Sequence, residues 1–279
     1  PQPEGWGMSP WAARLSPDSL VHEVNDVPYE TLAVDRDGPI MTVRLNRPDK
    51  RNAINRQMHS DLQRLCLELG EDFDTRVVIL AGEGPGFSSG ADTSEWGQPG
   101  PDNELELRHM SGVGSRTSTA LEYVDQITIA AVHGFAVGGG VVLTLCCDLR
   151  VAGESAWFAI PEVELGLPLA WNALPRLARE VGHARALELT VLCERFDARR
   201  AFEYGLVTHL APDGDEMKKA RELAETVVAK PALAVALTKS EMKALKRATE
   251  AGEAAYSDAD LLLYSRLMAQ RARRRQGRE

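Results

Sequence analysis

The amino-acid sequence predicts an α/β fold, because short apolar segments typical of strands alternate with longer segments of helical periodicity. Residues 40–45 and 76–81 are short apolar runs of the buried-strand type. Between them, residues 56–69 place apolar side chains at positions 58, 62, 65 and 69, which is the spacing of one helix face. A strand–helix–strand rhythm of this kind is typical of α/β proteins.

The length, composition and charge narrow the classes of protein. The chain has 279 residues, of which 44% are hydrophobic and 26% charged, and such a chain buries about three quarters of its unfolded surface. The net charge of −9 argues against a nucleic-acid partner or an anionic membrane surface. No apolar stretch reaches the ~20 residues of a membrane span, and no secretory signal is visible. We therefore expect a cytoplasmic protein with no membrane partner.

The four cysteines give no sign of a metal site. They stand at positions 66, 146, 147 and 193, within apolar helical patterns and without the spacing of metal ligands. We expect reduced thiols in the core, as is usual for cytosolic proteins, and no bound metal.

The N-terminal part reads as an extension followed by a hairpin. Residues 1–27 carry prolines at positions 1, 3, 10 and 17 and show no sustained periodicity, so we place them outside the core. Residues 29–34 and 40–45 flank the turn-forming pair Asp37-Gly38. This arrangement predicts an opening β-hairpin.

The rest of the chain predicts alternating elements and then a helical end. In order, we expect a helix at 56–69, a strand at 76–81, a turn-rich loop at 82–86, a helix at 104–123, a strand-like run at 128–132, a short apolar run at 157–160, helices at 171–180, 184–192 and 198–204, a strand at 206–210, and helices at 215–229, 232–249 and 258–271. We divide the chain into the extension 1–27, a core at 28–214 and a C-terminal helical region at 215–279.

Three consecutive glycines mark the most informative part of the sequence. Gly138, Gly139 and Gly140 precede an apolar run, and because consecutive glycines cost chain entropy, they indicate a close approach of the backbone to another group. The first N–H groups of a helix lack internal partners and are suited to bind an oxygen that gains negative charge. Pro161-Glu162 later supplies one carboxylate. An oxyanion donor followed by an acid is the outline of an enzyme that makes enolates.

Five segments between residues 28 and 245 carry a family resemblance. They are Asn46-Arg47-Pro48 through Asn52-Ala53-Ile54, Phe87-Ser88-Ser89-Gly90-Ala91-Asp92, the glycine triplet with Cys147-Asp148, Pro161-Glu162 and Leu165-Gly166, the stretch 201–207, and the stretch 230–239. In order and spacing they resemble the signatures of the crotonase superfamily, the enoyl-CoA hydratase/isomerase family.

The resemblance implies a fold, a substrate and an assembly. The fold is a crotonase-like spiral of ββα units with a C-terminal helical oligomerisation region at 215–279. The substrate is an acyl-CoA thioester, with coenzyme A as part of that substrate and no separate cofactor. The assembly is a homotrimer or a hexamer, and the apolar residues Leu261, Leu262, Tyr264 and Met268 fit a partner surface.

The resemblance also assigns the catalytic residues by motif position. The backbone N–H groups of Ala91 and Gly139 form the oxyanion hole that holds the thioester oxygen. Glu162 is the general base that removes a proton from C2, and we expect burial to raise its pKa.

The contacts to coenzyme A are assigned less directly. The residues that match or bracket the first two signatures are Arg47, Lys50, Arg51, Asn52, Ala53, Ser89 and Ala91. The three cations are suited to pair with the CoA phosphates, and the other residues match backbone regions that hold pantetheine and adenine. A solvated basic loop is the alternative interpretation of the cations.

Two departures from the family pattern bear on the reaction. Hydratases carry a second glutamate two residues after the triplet, where this chain has Val142, and a glycine-rich turn near the acyl chain, where it has LAWNA at 169–173. With one glutamate, the chain resembles the isomerases that move a proton from C2 to C4. Two alternatives stay open: a hydratase with a second acid from Asp92, Glu95 or His109, and a non-catalytic acyl-CoA-binding protein.

Overall fold

The computed structural model describes residues 28–95 and 103–249. The predicted extension 1–27 and the predicted helix 258–271 lie outside the described residues. The strands are β1 (Leu32–Asp37), β2 (Ile40–Leu45), β3 (Val77–Gly82), β4 (Ile127–Val132), β5 (Phe135–Val137), β6 (Leu149–Gly153), β7 (Trp157–Ala159), β8 (Phe196–Asp197) and β9 (His209–Ala211). The helices are α1 (Arg56–Gly70), α2 (Glu104–Ser111), α3 (Val113–Glu122), α4 (Gly139–Leu145), α5 (Ala173–Val181), α6 (His183–Val191), α7 (Ala198–Tyr204), α8 (Glu216–Val228) and α9 (Ala232–Thr249).

The strands form two sheets that the chain visits in turn. The first sheet has the order β1-β2-β3-β4-β6-β9, and the second has the order β5-β7-β8. Strand β4 lies in the first sheet, β5 lies in the second, and helix α4 follows them. The next unit has the same arrangement, with β6 in the first sheet, β7 in the second and then helix α5. The predicted α/β class and the spiral of ββα units are confirmed.

Both faces of the first sheet are apolar, since helices pack against each of them. Along β2, Met41 and Val43 join the larger core cluster, which includes α1, whereas Ile40 joins a smaller cluster. The smaller cluster also contains Ala220 and Ala224 of α8, so this helix covers the other face of the sheet. Successive side chains of a strand point to opposite faces, and a sheet buried on both faces reads as a continuous apolar run.

Two predicted boundaries are wrong, and one strand was not predicted. The helix expected at 104–123 is interrupted at Gly112, which separates α2 from α3. The last strand, expected at 206–210, lies at His209–Ala211. Strand β6 was not predicted, because its segment contains Arg150, whose guanidinium is buried in an ion pair with Glu180 at 2.6 Å. A charged side chain in a short segment masks the apolar pattern of a strand.

Candidate active site

Two parallel strands of the second sheet bring the glycine triplet beside Glu162. Strand β5 pairs with β7, with Val137 opposite Ala159, and the Gly138 N–H donates to the Ala159 carbonyl at 2.9 Å. The carboxyl ends of parallel strands meet at the same edge of a sheet, which is where α/β proteins place their sites. The residues that follow the two strands therefore lie together.

Gly138 is the point of closest contact. Its φ of +49° favours glycine. A Cβ atom at this position would lie 2.5 Å from Glu162 Oε1, which is closer than carbon and oxygen can approach. The carboxylate of Glu162 thus packs directly against the Gly138 α-carbon, and only glycine fits there.

A second loop is held beside the triplet by two isolated bridges. Ser88 pairs with Ala136 and Ile54 pairs with Ala91. In the second bridge Ile54 N donates to the Gly90 carbonyl at 2.8 Å, and Asp92 N donates to the Ile54 carbonyl at 2.9 Å. This pattern leaves the N–H of Ala91 outside the bridge.

The N–H groups of Ala91 and Gly139 lie side by side. A Cβ atom on Gly139 would lie 3.3 Å from Ala91 N, and one on Gly90 would lie 3.2 Å from Gly139 N. Gly139 is the first residue of α4, so its N–H has no partner inside the helix. Within 28–95 and 103–249, neither N–H has an acceptor. Two such donors are suited to hold a negatively charged oxygen.

Burial dominates the electrostatics of Glu162. Its Oε2 atom is buried and has no hydrogen-bond partner among the described residues. Burial raises the pKa of this carboxyl from 4.5 to about 7, and a hydrogen bond from its own backbone lowers it only partly. Near neutral pH, Glu162 therefore exists in both its charged and its neutral form, which suits a group that takes up and returns a proton.

The position of the family's second glutamate is apolar. Val142 lies in α4, is 1% exposed and belongs to the larger core cluster. The segment that contains it packs as an ordinary buried helix, so no carboxylate enters the site from there.

Three residues were considered as replacements for the second glutamate; two of them are hydrogen-bonded elsewhere and the third is exposed. Asp92 accepts hydrogen bonds from Arg47 at 2.8 Å and from Ser94 at 2.6 Å; although burial acts in the opposite direction, these bonds lower its pKa. Glu95 accepts from the backbone N–H of Arg56 at 3.1 Å. His109 is exposed on α2. Asp92 is thus a charged loop partner, and the geometry favours none of the three as a catalytic acid.

Two residues expected to bind coenzyme A have structural contacts instead of free side chains. Arg47 donates to Asp92 and to the Ala53 carbonyl. Asn52 is 0% exposed and donates to the carbonyls of Glu83 and Gly86 at 2.7 and 2.9 Å. Both side chains therefore fix the shape of the first loop, and their role towards coenzyme A remains a prediction.

The exposed cations lie next to this fixed loop. Lys50 and Arg51 are exposed, and no described acidic residue forms an ion pair with either side chain. Arg51 has a left-handed φ of +52°, and its carbonyl accepts a hydrogen bond from Ser89 N at 2.9 Å. These contacts join the first loop to the second and leave the two charges at the surface.

One residue at the site was not assigned a role from the sequence. Trp171 is 8% exposed, and a Cβ atom on Gly139 would lie 2.5 Å from its indole. We predicted a helix from Trp171 onward, but α5 begins at Ala173, because Trp171 and Asn172 both have positive φ. The bulky LAWNA segment was a signal that this turn differs from the family pattern, but the direction of the indole was not readable from it.

The described residues contain no group of three or more His, Cys, Asp and Glu side chains placed to hold a metal ion. Within the same residues, no helix combines the length and the apolar character that crossing a bilayer requires.

Comparisons with known proteins find relatives in sequence and in fold. Residues 35–279 match the family model for enoyl-CoA hydratase/isomerase. The short-chain-enoyl-CoA hydratase of Clostridium acetobutylicum is 33% identical over 207 residues, which are 74% of this chain and 78% of that protein. The mitochondrial Delta(3,5)-Delta(2,4)-dienoyl-CoA isomerase of Mus musculus is 35% identical over 224 residues, or 76% and 68% of the two chains. An enoyl-CoA hydratase/isomerase structure from Mycobacterium paratuberculosis superposes with a TM-score of 0.77 at 28% identity, covering 88% of this chain and 99% of that one.

Proposed function

The chain belongs to the enoyl-CoA hydratase/isomerase family, and on that premise we propose that it is a one-base enoyl-CoA isomerase. Its substrate would be a 3-enoyl-CoA thioester and its product the 2-enoyl isomer. The observation that supports this proposal best is the carboxylate of Glu162 beside the glycine triplet. Glu162 lies against the triplet with an unpartnered oxygen, and Val142 fills the place of a second acid.

The proposed reaction needs one group that accepts and returns a proton. With the thioester oxygen on the N–H groups of Ala91 and Gly139, the C2 proton becomes acidic, because the charge left by its removal moves to that oxygen. Glu162 takes the proton from C2, the double bond moves from C3–C4 to C2–C3, and the protonated Glu162 returns the proton at C4. A pKa of about 7 makes both steps feasible near neutral pH.

Hydration requires a second catalytic group in the site. Addition of water across C2–C3 calls for a second group that orients the water and takes its proton. General acid–base assistance of this kind is worth about 10²–10⁴-fold in rate. Since Val142 is buried and apolar and Asp92 is bound to Arg47, we infer that isomerisation outruns hydration in this protein.

The test is side-by-side turnover of 3-enoyl-CoA and 2-enoyl-CoA thioesters by the unmodified protein. We expect isomerisation of the first class, little hydration of the second, and loss of activity in Glu162→Gln. Val142→Glu should raise hydration if the folded variant admits water. Efficient hydration without isomerisation would contradict the proposal and indicate an acid from another position. Absence of both activities, together with binding of the thioesters, would indicate a non-catalytic acyl-CoA-binding protein.

A further inference from the structure

The turn that precedes α5 holds two adjacent residues in the left-handed backbone conformation. Trp171 has a φ of +61° and Asn172 has a φ of +55°. Bulky residues rarely adopt this conformation, so other contacts must hold it in place. Ser118 Oγ donates to the Trp171 carbonyl at 2.8 Å, and Arg176 Nη1 donates to the carbonyls of Trp171 and Asn172 at 2.9 and 2.8 Å. These hydrogen bonds hold the backbone turn from which the indole projects.

Arg176, which holds the turn, is itself held by a buried ion pair. Its side chain is almost fully buried, and its Nε lies 2.6 Å from Glu122 Oε2. Glu122 is buried as well and also pairs with Arg179 at 2.8 Å. Because α3 carries Glu122 and α5 carries the two arginines, the ion pairs tie these helices together around the turn. A buried charge cluster of this kind is specific in its geometry.

The indole occupies a slot that two glycines leave open. A Cβ atom on Gly114 of α3 would lie 2.1 Å from the indole Cδ1 atom, and one on Gly139 of α4 would lie 2.5 Å from Cζ3. The ring of His59 meets the indole edge-on, with a centroid distance of 4.9 Å. The six-membered part of the indole thus touches the residue whose N–H belongs to the proposed oxyanion hole.

The position of this ring limits the path of an acyl chain. In a bound thioester the carbonyl carbon carries two substituents, the sulfur of coenzyme A and C2 of the acyl group. Coenzyme A must enter from the solvent side, where Lys50 and Arg51 are exposed, so the acyl group must point towards the interior. There, Glu162 lies on the Gly138 side of the triplet and Trp171 lies on the Gly139 side.

We propose that Trp171 forms the end wall of the acyl site and restricts the substrates to thioesters with short acyl chains. The preferred length is close to the four carbons that a proton transfer from C2 to C4 requires, because carbon atoms beyond C4 would need the space that the indole fills. The expected effect on turnover rests on the proposed isomerase function. The expected effect on binding requires only that the protein binds acyl-CoA thioesters.

The experiment compares the binding of butanoyl-CoA and octanoyl-CoA by titration calorimetry, followed by turnover of the matching 3-enoyl thioesters. In the unmodified protein we expect octanoyl-CoA to bind at least ~10-fold more weakly than butanoyl-CoA, because overpacking a well-filled pocket is unfavourable. Glycine tolerates the positive φ at position 171, so Trp171→Gly keeps the backbone of the turn. In this variant octanoyl-CoA should bind as tightly as butanoyl-CoA, or more tightly. Trp171→Leu keeps an apolar side chain at the site and serves if the glycine variant does not fold.

Phe196→Leu is the matched control, since it trims another buried aromatic ring, in β8, and should leave the length ratio unchanged. Equal affinity of the unmodified protein for both thioesters would overturn the proposal. An unchanged ratio in a folded Trp171 variant would overturn it too. Saturated thioesters bind without isomerising, so the two proposals can fail separately. A length preference in their binding, combined with no turnover of the 3-enoyl thioesters, would refute the isomerase function and leave the wall intact.

Discussion

At the scale of single residues, Glu162 couples activity to stability through its pKa. Burial raises this pKa from 4.5 to about 7 in the folded protein, so between these pH values the folded state binds a proton that the unfolded chain has released. The free energy of unfolding is therefore lowered as the pH rises through this window, by ~3 kcal/mol in full. Glu162→Gln removes this titration and should be more stable than the parent protein above pH 7.

The measurement is urea unfolding of both proteins at pH 5 and at pH 8. The stability advantage of Glu162→Gln should be larger at pH 8, although the variant is expected to be inactive at both. Glu164→Gln changes an exposed carboxylate on the same turn. This control should stay active and should show no stability advantage that grows with pH. An equal stability difference at the two pH values would show that the carboxyl of Glu162 titrates normally.

The oxyanion hole is tested most cleanly at Ala91. Ala91→Pro deletes one proposed donor, while the neighbouring bridge between Ile54 and Asp92 N keeps its hydrogen bond. We expect kcat to fall by about 10²–10³-fold, with thioester binding still measurable by calorimetry. The equivalent change at Gly139 is less informative, because any Cβ there would meet Trp171. A folded Ala91→Pro protein with unchanged kcat would remove Ala91 from the hole.

The positions of the site residues followed from the order of their motifs, whereas the contacts around them did not. Gly138 and Glu162 are far apart in sequence, and the pairing of β5 with β7 that joins them involves strands of three residues each. Such short strands carry little periodicity of their own. The turn that carries Trp171 was equally hidden, since its carbonyl is held by Arg176 from the next helix.

At the scale of elements, the packing of α3 depends on a missing side chain. Alanine usually stabilises a helix relative to glycine by about 1 kcal/mol. Gly114→Ala should do the opposite and lower the free energy of unfolding by about 1–3 kcal/mol, because its Cβ would lie 2.1 Å from the Trp171 indole. Gly70→Ala, at the last residue of α1, is the matched control, since no atom lies within 4 Å of its added Cβ.

Chemical denaturation of the two variants gives the comparison. Gly70→Ala should be neutral or stabilising, and combining Gly114→Ala with Trp171→Leu should recover part of the lost stability. If Gly114→Ala were as stable as Gly70→Ala, the indole would not be confined as described.

The long apolar elements were predictable, and the short or charged ones were not. Strand β2 and helix α1 have unbroken patterns and appear at their predicted positions. Strand β8 has only two residues, which is too few for any period to be visible. The predicted helix divides at Gly112, which has a φ of −83° and lies within a helical sequence pattern. The local sequence therefore did not predict the boundary between α2 and α3.

At the scale of the whole molecule, the surface of α9 is unusually apolar. Leu233, Leu237, Met242 and Leu245 are each more than half exposed in the described part of the chain, and several large apolar side chains exposed on one helix favour an interface. We predict a trimer or a hexamer, as the family resemblance implies. The predicted stripe at 261–268 lies outside the described residues.

Light scattering at micromolar concentration tests this assembly. The unmodified protein should have the mass of three or six chains, and Leu233→Glu with Leu237→Glu should lower the mass. Leu67→Glu, at another exposed leucine on α1, should leave it unchanged. A monomeric unmodified protein would contradict the prediction and assign the α9 face to a segment of the same chain.

The unpartnered oxygen of Glu162 also has a consequence for inhibitor design. A buried acceptor without a donor is costly to the protein, and Oε2 has none among the described residues. A thioester analogue with a hydroxyl or amide N–H at C2 would supply that donor. Its affinity should be highest above pH 7, where Glu162 is charged and accepts the stronger hydrogen bond. We therefore expect the tightest inhibitors of this site to be hydrogen-bond donors at C2 on a short acyl chain.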